Sequence, residues 1–173
     1  MNAIRRCPIP EDALLNRYRK PGCYTDCYRT DMATGISQEQ YVAAFYTTGI
    51  FKLERLILHW TLSRPSTDEE AERLAAGSID EFAAWRVEGR ADNQLLLCDI
   101  YGRTRSWLMS MPRRAEGAPG TRLYFGSAVL PKADSGTGAP GIGPVFNALL
   151  GFHKIYSRLL LGAAKGRLKA RVA

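Results

Sequence analysis

QLLLCDIYGRTRSWLMSM, residues 94–111, decides the fold. Two apolar runs flank a short turn signal built on Tyr101 and Gly102. Strands this close in sequence must be antiparallel neighbours, because a parallel pair needs a crossover of a dozen residues or more. Side chains alternate between the faces of a strand. A two-residue loop, Tyr101-Gly102 or Gly102-Arg103, therefore puts Leu96, Cys98 and Ile100 on one face with Trp107, Met109 and Met111. The other face carries Leu95, Leu97, Asp99, Ser106, Leu108 and Ser110. The first set is uniformly large and apolar and is expected to be the core face. The second set is mixed.

Working outward, residues 23–30, 82–88 and 122–130 also read as strands, which with 94–100 and 103–111 makes five. Between the first strand and the rest the period changes to that of helices. Ser37 to Gln40 has the form of a capping box, with Ile36 and Tyr41 where a hydrophobic staple needs them, and predicts a helix to about Thr48. A second helix is predicted over residues 50–62, with Ile50, Leu53, Leu56, Ile57 and Trp60 on one face. Ser66 to Glu69 reads as another capping box, opening a short acidic helix closed by Gly77. After the strands, residues 131–144 hold four glycines and three prolines and form a loop. A long C-terminal helix begins at Pro144, with a stripe of Val145, Leu149, Phe152, Tyr156, Leu159 and Ala163, widened by Phe146, Leu150, His153 and Leu160. Segregated strands and helices indicate an α+β layer fold, an antiparallel sheet curved around the long C-terminal helix. Residues 1–22, broken by Pro8, Pro10, Pro21 and Gly22, read as an irregular segment ahead of a single domain over 23–173.

The 173 residues are 46% hydrophobic and 24% charged, enough to bury a sizeable core without staples. The N-terminal stretch has no apolar run suited to export, and no window approaches a spanning helix, so a cytoplasmic, thiol-reduced protein is expected. Cys23 and Cys27 draw attention as a metal or redox pair. In one strand they stand roughly 13 Å apart at about 3.3 Å per residue, too far for one metal. With no second paired motif and two histidines in the chain, neither metal nor cofactor is expected. Tyr24, Asp26 and Tyr28 alternate with the thiols and form a polar-aromatic row whose direction the strand pattern leaves open. Ser127, in FGSAV, is no nucleophile elbow.

The formal charge of +7 is uneven. Residues 144–173 carry six basic side chains and no acidic one, whereas residues 67–92 carry eight acidic and three basic. Lys165, Arg167, Lys169 and Arg171 alternate in sequence and so spread around a helix, and they lack interleaved aromatics, which argues against nucleic acid. They suit a solvated helix end or weak contact with an anionic membrane surface.

The element order resembles the helix-grip fold of the START-like superfamily, which includes the Bet v 1-type and polyketide-cyclase-type proteins. The likeness covers roughly residues 23–170. More locally, YTDCYR, LLLCDIYGRTRSWL, TRLYFGSAVLP and GFHKIYSRLLL look like segments of an uncharacterised bacterial family within it. Helix-grip sheets usually have six or seven strands, so further strands would have to lie within residues 77–84 or the N-terminal stretch.

The resemblance implies an apolar cavity between sheet and long helix, where members hold lipids, sterols or polyketides. Such sites combine apolar walls with a few oriented polar groups. On that basis Trp85, Trp107, Tyr124, His153 and Tyr156 are expected to line it, with Asp99 and Arg105 as the polar anchor. Asp99 also admits a plainer reading, an ion pair with Arg103 or Arg105 at the hairpin end. The leading expectation is a protein that binds or carries a hydrophobic, lipid-like or polyketide-like small molecule. The alternatives are a cyclase or hydrolase using His153, Tyr156 or Asp99 as acid or base, and a membrane-peripheral or partner-binding domain using the basic helix.

Overall fold

A computed structural model describes residues 3–51, 66–115, 118–131 and 144–172; side chains are described outside 114–115, 118–119, 144–154 and 172. Seven strands form one antiparallel sheet: β1 (Arg5–Arg6), β2 (Tyr24–Met32), β3 (Glu81–Phe82), β4 (Trp85–Ala91), β5 (Gln94–Asp99), β6 (Thr104–Ala115) and β7 (Ala118–Val129). Their order is β1-β2-β7-β6-β5-β4-β3. The two strands beyond the five legible ones, β1 and β3, are two residues each and sit at the two edges, too short to leave a pattern. Among the described residues three α-helices accompany the sheet: α1 (Gln38–Tyr46), α2 (Asp68–Ala75) and α3 (Pro144–Val172). The sheet is not closed, and the arrangement is compatible with a helix grip. The helix expected over residues 50–62 lies, past residue 51, outside the described residues.

Local signals placed α1 well. The Ser37 hydroxyl accepts from the Gln40 N–H at 3.0 Å, and the Gln40 side chain accepts from the Ser37 N–H at 2.9 Å. Ile36 and Tyr41, the staple pair, are both buried in the main core. The α2 cap is shifted by one: Thr67 and Glu70 make the box that the sequence offers equally to Ser66 and Glu69. Gly77, with φ +78°, closes that helix in the left-handed region where a side chain would strain.

The hairpin register pairs Leu96 with Trp107 and Gln94 with Met109, so the face assignment by parity is the observed one. The uniformly apolar face is a core face, as expected, but it is not the face that meets the helices. The mixed set, Leu95, Leu97 and Leu108, joins Tyr28, Leu123 and Phe125 beneath α1 and α3 in the main core. Of the uniformly apolar set, Leu96, Trp107, Met109 and Met111 face away and form a second core with the N-terminal segment, while Ile100, past the end of β5, is exposed. That segment pairs β1 with β2 and lays a 3-10 helix, Leu14–Tyr18, on the outer face, where Ala13 and Leu15 cover Leu96, Trp107, Met109 and Tyr124. Gln94 joins the layers: its amide accepts from Leu14 N–H at 2.8 Å and from the Trp107 indole at 2.9 Å, and donates to the Asp12 carbonyl at 3.0 Å. Burying apolar side chains on both faces stabilises the central strands by roughly 25 cal/mol for each Å² removed from water.

The α3 stripe is also rotated from the expected one. Ser157, Leu160, Leu161, Ala164 and Leu168 are buried, while Leu159 is 53% exposed. The stripe expected earlier on the helix, over residues 145–153, lies outside the described side chains.

Close approach of the 3-10 helix requires a bare backbone at Gly126. A Cβ there would meet Leu15 Cδ2 at 2.7 Å, the Asp26 carbonyl at 2.9 Å and Trp107 at 3.0 Å. Gly126→Ala is expected to cost about 1–3 kcal/mol by overpacking. Gly166→Ala, on an exposed turn of α3 with nothing within 4 Å, is expected to stabilise by about 0.5–1 kcal/mol. Urea midpoints that move alike in the two variants would refute this packing. On the same outer face Arg122 grips Asp31 through two hydrogen bonds, 2.8 and 3.2 Å, with Arg113 at 3.3 Å. The Arg122 hydrogen bonds hold the Asp31 carboxyl below its ordinary 3.8. A depressed folded value contributes stability that is complete above the ordinary value and lost as pH falls through the folded one. Asp31→Asn should therefore be less stable than wild type at pH 7, with the gap closing below about pH 3.8; a gap constant with pH would contradict the assignment.

Candidate functional site: a cavity between the sheet and the C-terminal helix

On the helix-facing side of the sheet, at the end where β5 turns into β6, lies a cavity of about 290 Å³. Leu160 and Tyr156 of α3 form one wall, Phe45 of α1 and Phe51 another, and Phe125 of β7 part of the sheet surface. Aromatic packing fixes these walls: Phe45 and Phe125 have ring centroids 4.8 Å apart, and Tyr46 stands 4.8 Å from Phe51 and 5.7 Å from Phe82. The mouth is edged by Ile100 and Tyr101 of the hairpin turn, 44% and 66% exposed.

Polar groups occupy the sheet surface of the cavity in a row. Ser106 and Ser127 are cross-strand partners and both line it. Ser106 Oγ is 3.0 Å from the Tyr46 hydroxyl. Ser127 donates its hydroxyl to Asp26 Oδ1 at 2.6 Å, and its N–H reaches the same oxygen at 3.2 Å. Tyr24 donates to Asp26 Oδ2 at 3.1 Å. Burial, reinforced by the Asp26 charge, pushes the Tyr24 hydroxyl above the ordinary tyrosine range, so it remains a donor. The row Tyr24, Asp26, Tyr28 thus faces the helices, and Asp26, 2% exposed, is a buried carboxylate directly behind a cavity serine. Trp85 supplies another polar atom. Its indole N–H is buried and has no hydrogen-bond partner among the described residues, whereas most buried donors have one.

Of the residues expected from the sequence, Trp85, Asp99, Arg105 and Tyr156 line this cavity. Trp107 and Tyr124 do not. They stand on the other face of the sheet in the second core, with ring centroids 6.3 Å apart, because strand alternation sets them opposite to Ser106 and Phe125. His153 lies outside the described side chains. Asp99 accepts the Arg103 backbone N–H at 2.7 Å and so braces the turn. The carboxylate partner of Arg105 is instead Glu88, at 3.0 Å. Arg105 also donates to the Gly102 carbonyl and lies over the Tyr18 ring, 4.6 Å from its centroid, while the Tyr18 hydroxyl donates to Glu88. The N-terminal segment therefore seats the one guanidinium among the lining residues.

Sequence reasoning missed Phe45, Tyr46, Ser106 and Ser127. The signal available was the mixed face of the hairpin. Two small serines among leucines leave a void that large side chains would fill, and they sit on the side that meets the helix. Among the described residues no group of histidine, cysteine and carboxylate side chains could hold a metal ion, and no helix is long and apolar enough to cross a membrane. On the basic helix, Lys165 turns inward to the Thr30 hydroxyl at 2.8 Å, while Lys169 and Arg171 are exposed. No family model matches this chain, and no curated protein matches it by sequence.

The Ser127 hydroxyl carries a charge-assisted bond in a buried site, so its loss should be felt. Ser127→Ala is expected to lower stability by about 1–3 kcal/mol in urea denaturation, and a midpoint within error of wild type would show that Asp26 does not need it.

Proposed function

We propose that the protein binds a hydrophobic small molecule with a polar end in this cavity, as a START-like binding or carrier protein. The observation that carries the reading is an open, largely apolar cavity of about 290 Å³ under α3 whose sheet surface bears an ordered polar row. That volume is just under the range of sites that hold drug-sized ligands, roughly 300–1,000 Å³, and so suits a small one. Phe45, Phe51, Phe125 and Leu160 supply apolar contact. The unpartnered Trp85 N–H favours a ligand oxygen as acceptor, because an unmade buried hydrogen bond is costly and a ligand would restore it. Helix-grip proteins of the START-like superfamily hold lipid-like or polyketide-like molecules in this position, and the element order supports the same use here.

A second reading, catalysis on the same scaffold, is favoured by one observation: the buried Asp26 carboxylate hydrogen-bonded to a serine hydroxyl at the cavity wall. A cyclase or hydrolase would use that pair to take or orient a proton.

Native mass spectrometry of protein purified from its own host is the test. The expected result is a retained mass of a few hundred daltons that is lost on organic denaturation. Thr104→Trp, which places an indole in the cavity from β6, should abolish retention with little change in melting temperature. Trp85→Phe should weaken it by roughly tenfold if the indole hydrogen bond is made, about 1.4 kcal/mol. Protein without a retained mass that also shows no thermal shift with fatty acids, sterols or aromatic polyketides would sink the binding reading.

A further inference from the structure

The outer face of the sheet brings together two thiols that the sequence keeps apart. β1 and β2 pair Arg5 with Arg29 and Arg6 with Tyr28. One step further, the Cys7 N–H donates to the Cys27 carbonyl at 2.9 Å, which sets Cys7 opposite Cys27. Opposed residues of this kind have Cα atoms about 5.5 Å apart, within the ~4.4–6.8 Å that a disulfide spans. Both thiols are free, and their sulfurs stand 3.5 Å apart. The pairing that matters is thus Cys7 with Cys27, across two strands, and not Cys23 with Cys27 along one.

We propose that Cys7 and Cys27 are a reversible redox pair, oxidised by a peroxide to a disulfide that staples the N-terminal segment to the sheet and reduced again by a dithiol. The two sulfurs are placed for different roles. Cys27 is 1% exposed, whereas Cys7 is only half-buried and open to a small oxidant. The Cys27 thiol, hydrogen-bonding to its anion, pulls Cys7 below the ordinary thiol value against the opposing push of burial, and Arg29 and Arg122 add to the pull. Cys27 is pushed above that value by the same contact and by burial. Cys7 is therefore the attacking thiolate and Cys27 the resolving thiol.

The chemistry balances in two steps. The Cys7 thiolate attacks one peroxide oxygen, the O–O bond breaks, and the departing hydroxide takes up a proton to give water, leaving Cys7 as a sulfenic acid. The Cys27 sulfur then attacks the Cys7 sulfur. The S–O bond breaks, and hydroxide leaves with the Cys27 proton as a second water. Two electrons pass from the thiols to one peroxide, and thiol–disulfide exchange with a dithiol reverses the change. The staple closes a loop that carries Leu15 of the second core and Tyr18, on which Arg105 rests. The inference stands on the outer face and does not depend on what the cavity binds.

The full chain is treated with a small excess of hydrogen peroxide, denatured, alkylated with N-ethylmaleimide and digested. The expected result is maleimide on Cys23 and Cys98 only, and a peptide joining Cys7 to Cys27 that is lighter by two hydrogens and parted by dithiothreitol. The oxidised protein should melt roughly 5–10 °C higher than the reduced one, and Cys7→Ser should show neither the link nor the shift. Maleimide on all four cysteines after peroxide, a link to Cys23 or Cys98 instead, or sulfinic acid at Cys7 with no link would each overturn the proposal. The wild-type digest decides it even if Cys27→Ala, made to isolate the Cys7 sulfenic acid, fails to fold.

Discussion

The central strands β5, β6 and β7 are apolar on both faces, and the rest of the structure follows from the need to bury both. An antiparallel sheet can leave one face to water only where that face is polar. Here Leu96, Trp107 and Met109 on one side and Leu95, Leu97 and Leu108 on the other are all essentially inaccessible. Helices α1 and α3 cover the second set. A 3-10 helix and the extended chain around it cover the first. Gln94 is where these layers are locked, because a buried amide must find its partners, and they come from β6 and from the N-terminal segment together.

The cavity is a consequence of the same layering. Where α3 crosses the hairpin end of the sheet, the sheet presents Ser106 and Ser127 in place of leucines. Small side chains under a helix leave space, and the aromatic rings of α1 and β7 hold that space open because they are packed against each other. The buried carboxylate of Asp26 would be costly in such surroundings without donors such as Ser127 and Tyr24. Polar chemistry and apolar volume thus arise in one place, which is the combination that small-molecule sites use.

Arg105 ties the two sides of the sheet together. Its stem belongs to the outer face, its guanidinium is held by Glu88 and Tyr18, and its position at the strand end brings it to the cavity. The N-terminal segment therefore does more than shield the second core. It holds a cavity residue, and it is itself joined to β2 at the Cys7–Cys27 pair.

Local signals in the sequence determined the elements. The period of two marked the five long strands, and the capping box at Ser37 located the start of α1 to the residue. Parity around Gly102 gave the two faces of the hairpin their correct membership, since alternation is a property of any strand. Trp85, Asp99, Arg105 and Tyr156, expected at a cavity on the strength of the resemblance, do line one. Only the tertiary structure decided which face meets which layer. Composition marked the more apolar face as a core face, but both faces were destined for burial, and the helix took the mixed one. That choice moved Trp107 and Tyr124 out of the site and brought Ser106, Ser127 and Asp26 into it. It also decided the partner of Cys27, because β1, two residues long, has no signature in the sequence and acquires its register only by pairing with β2.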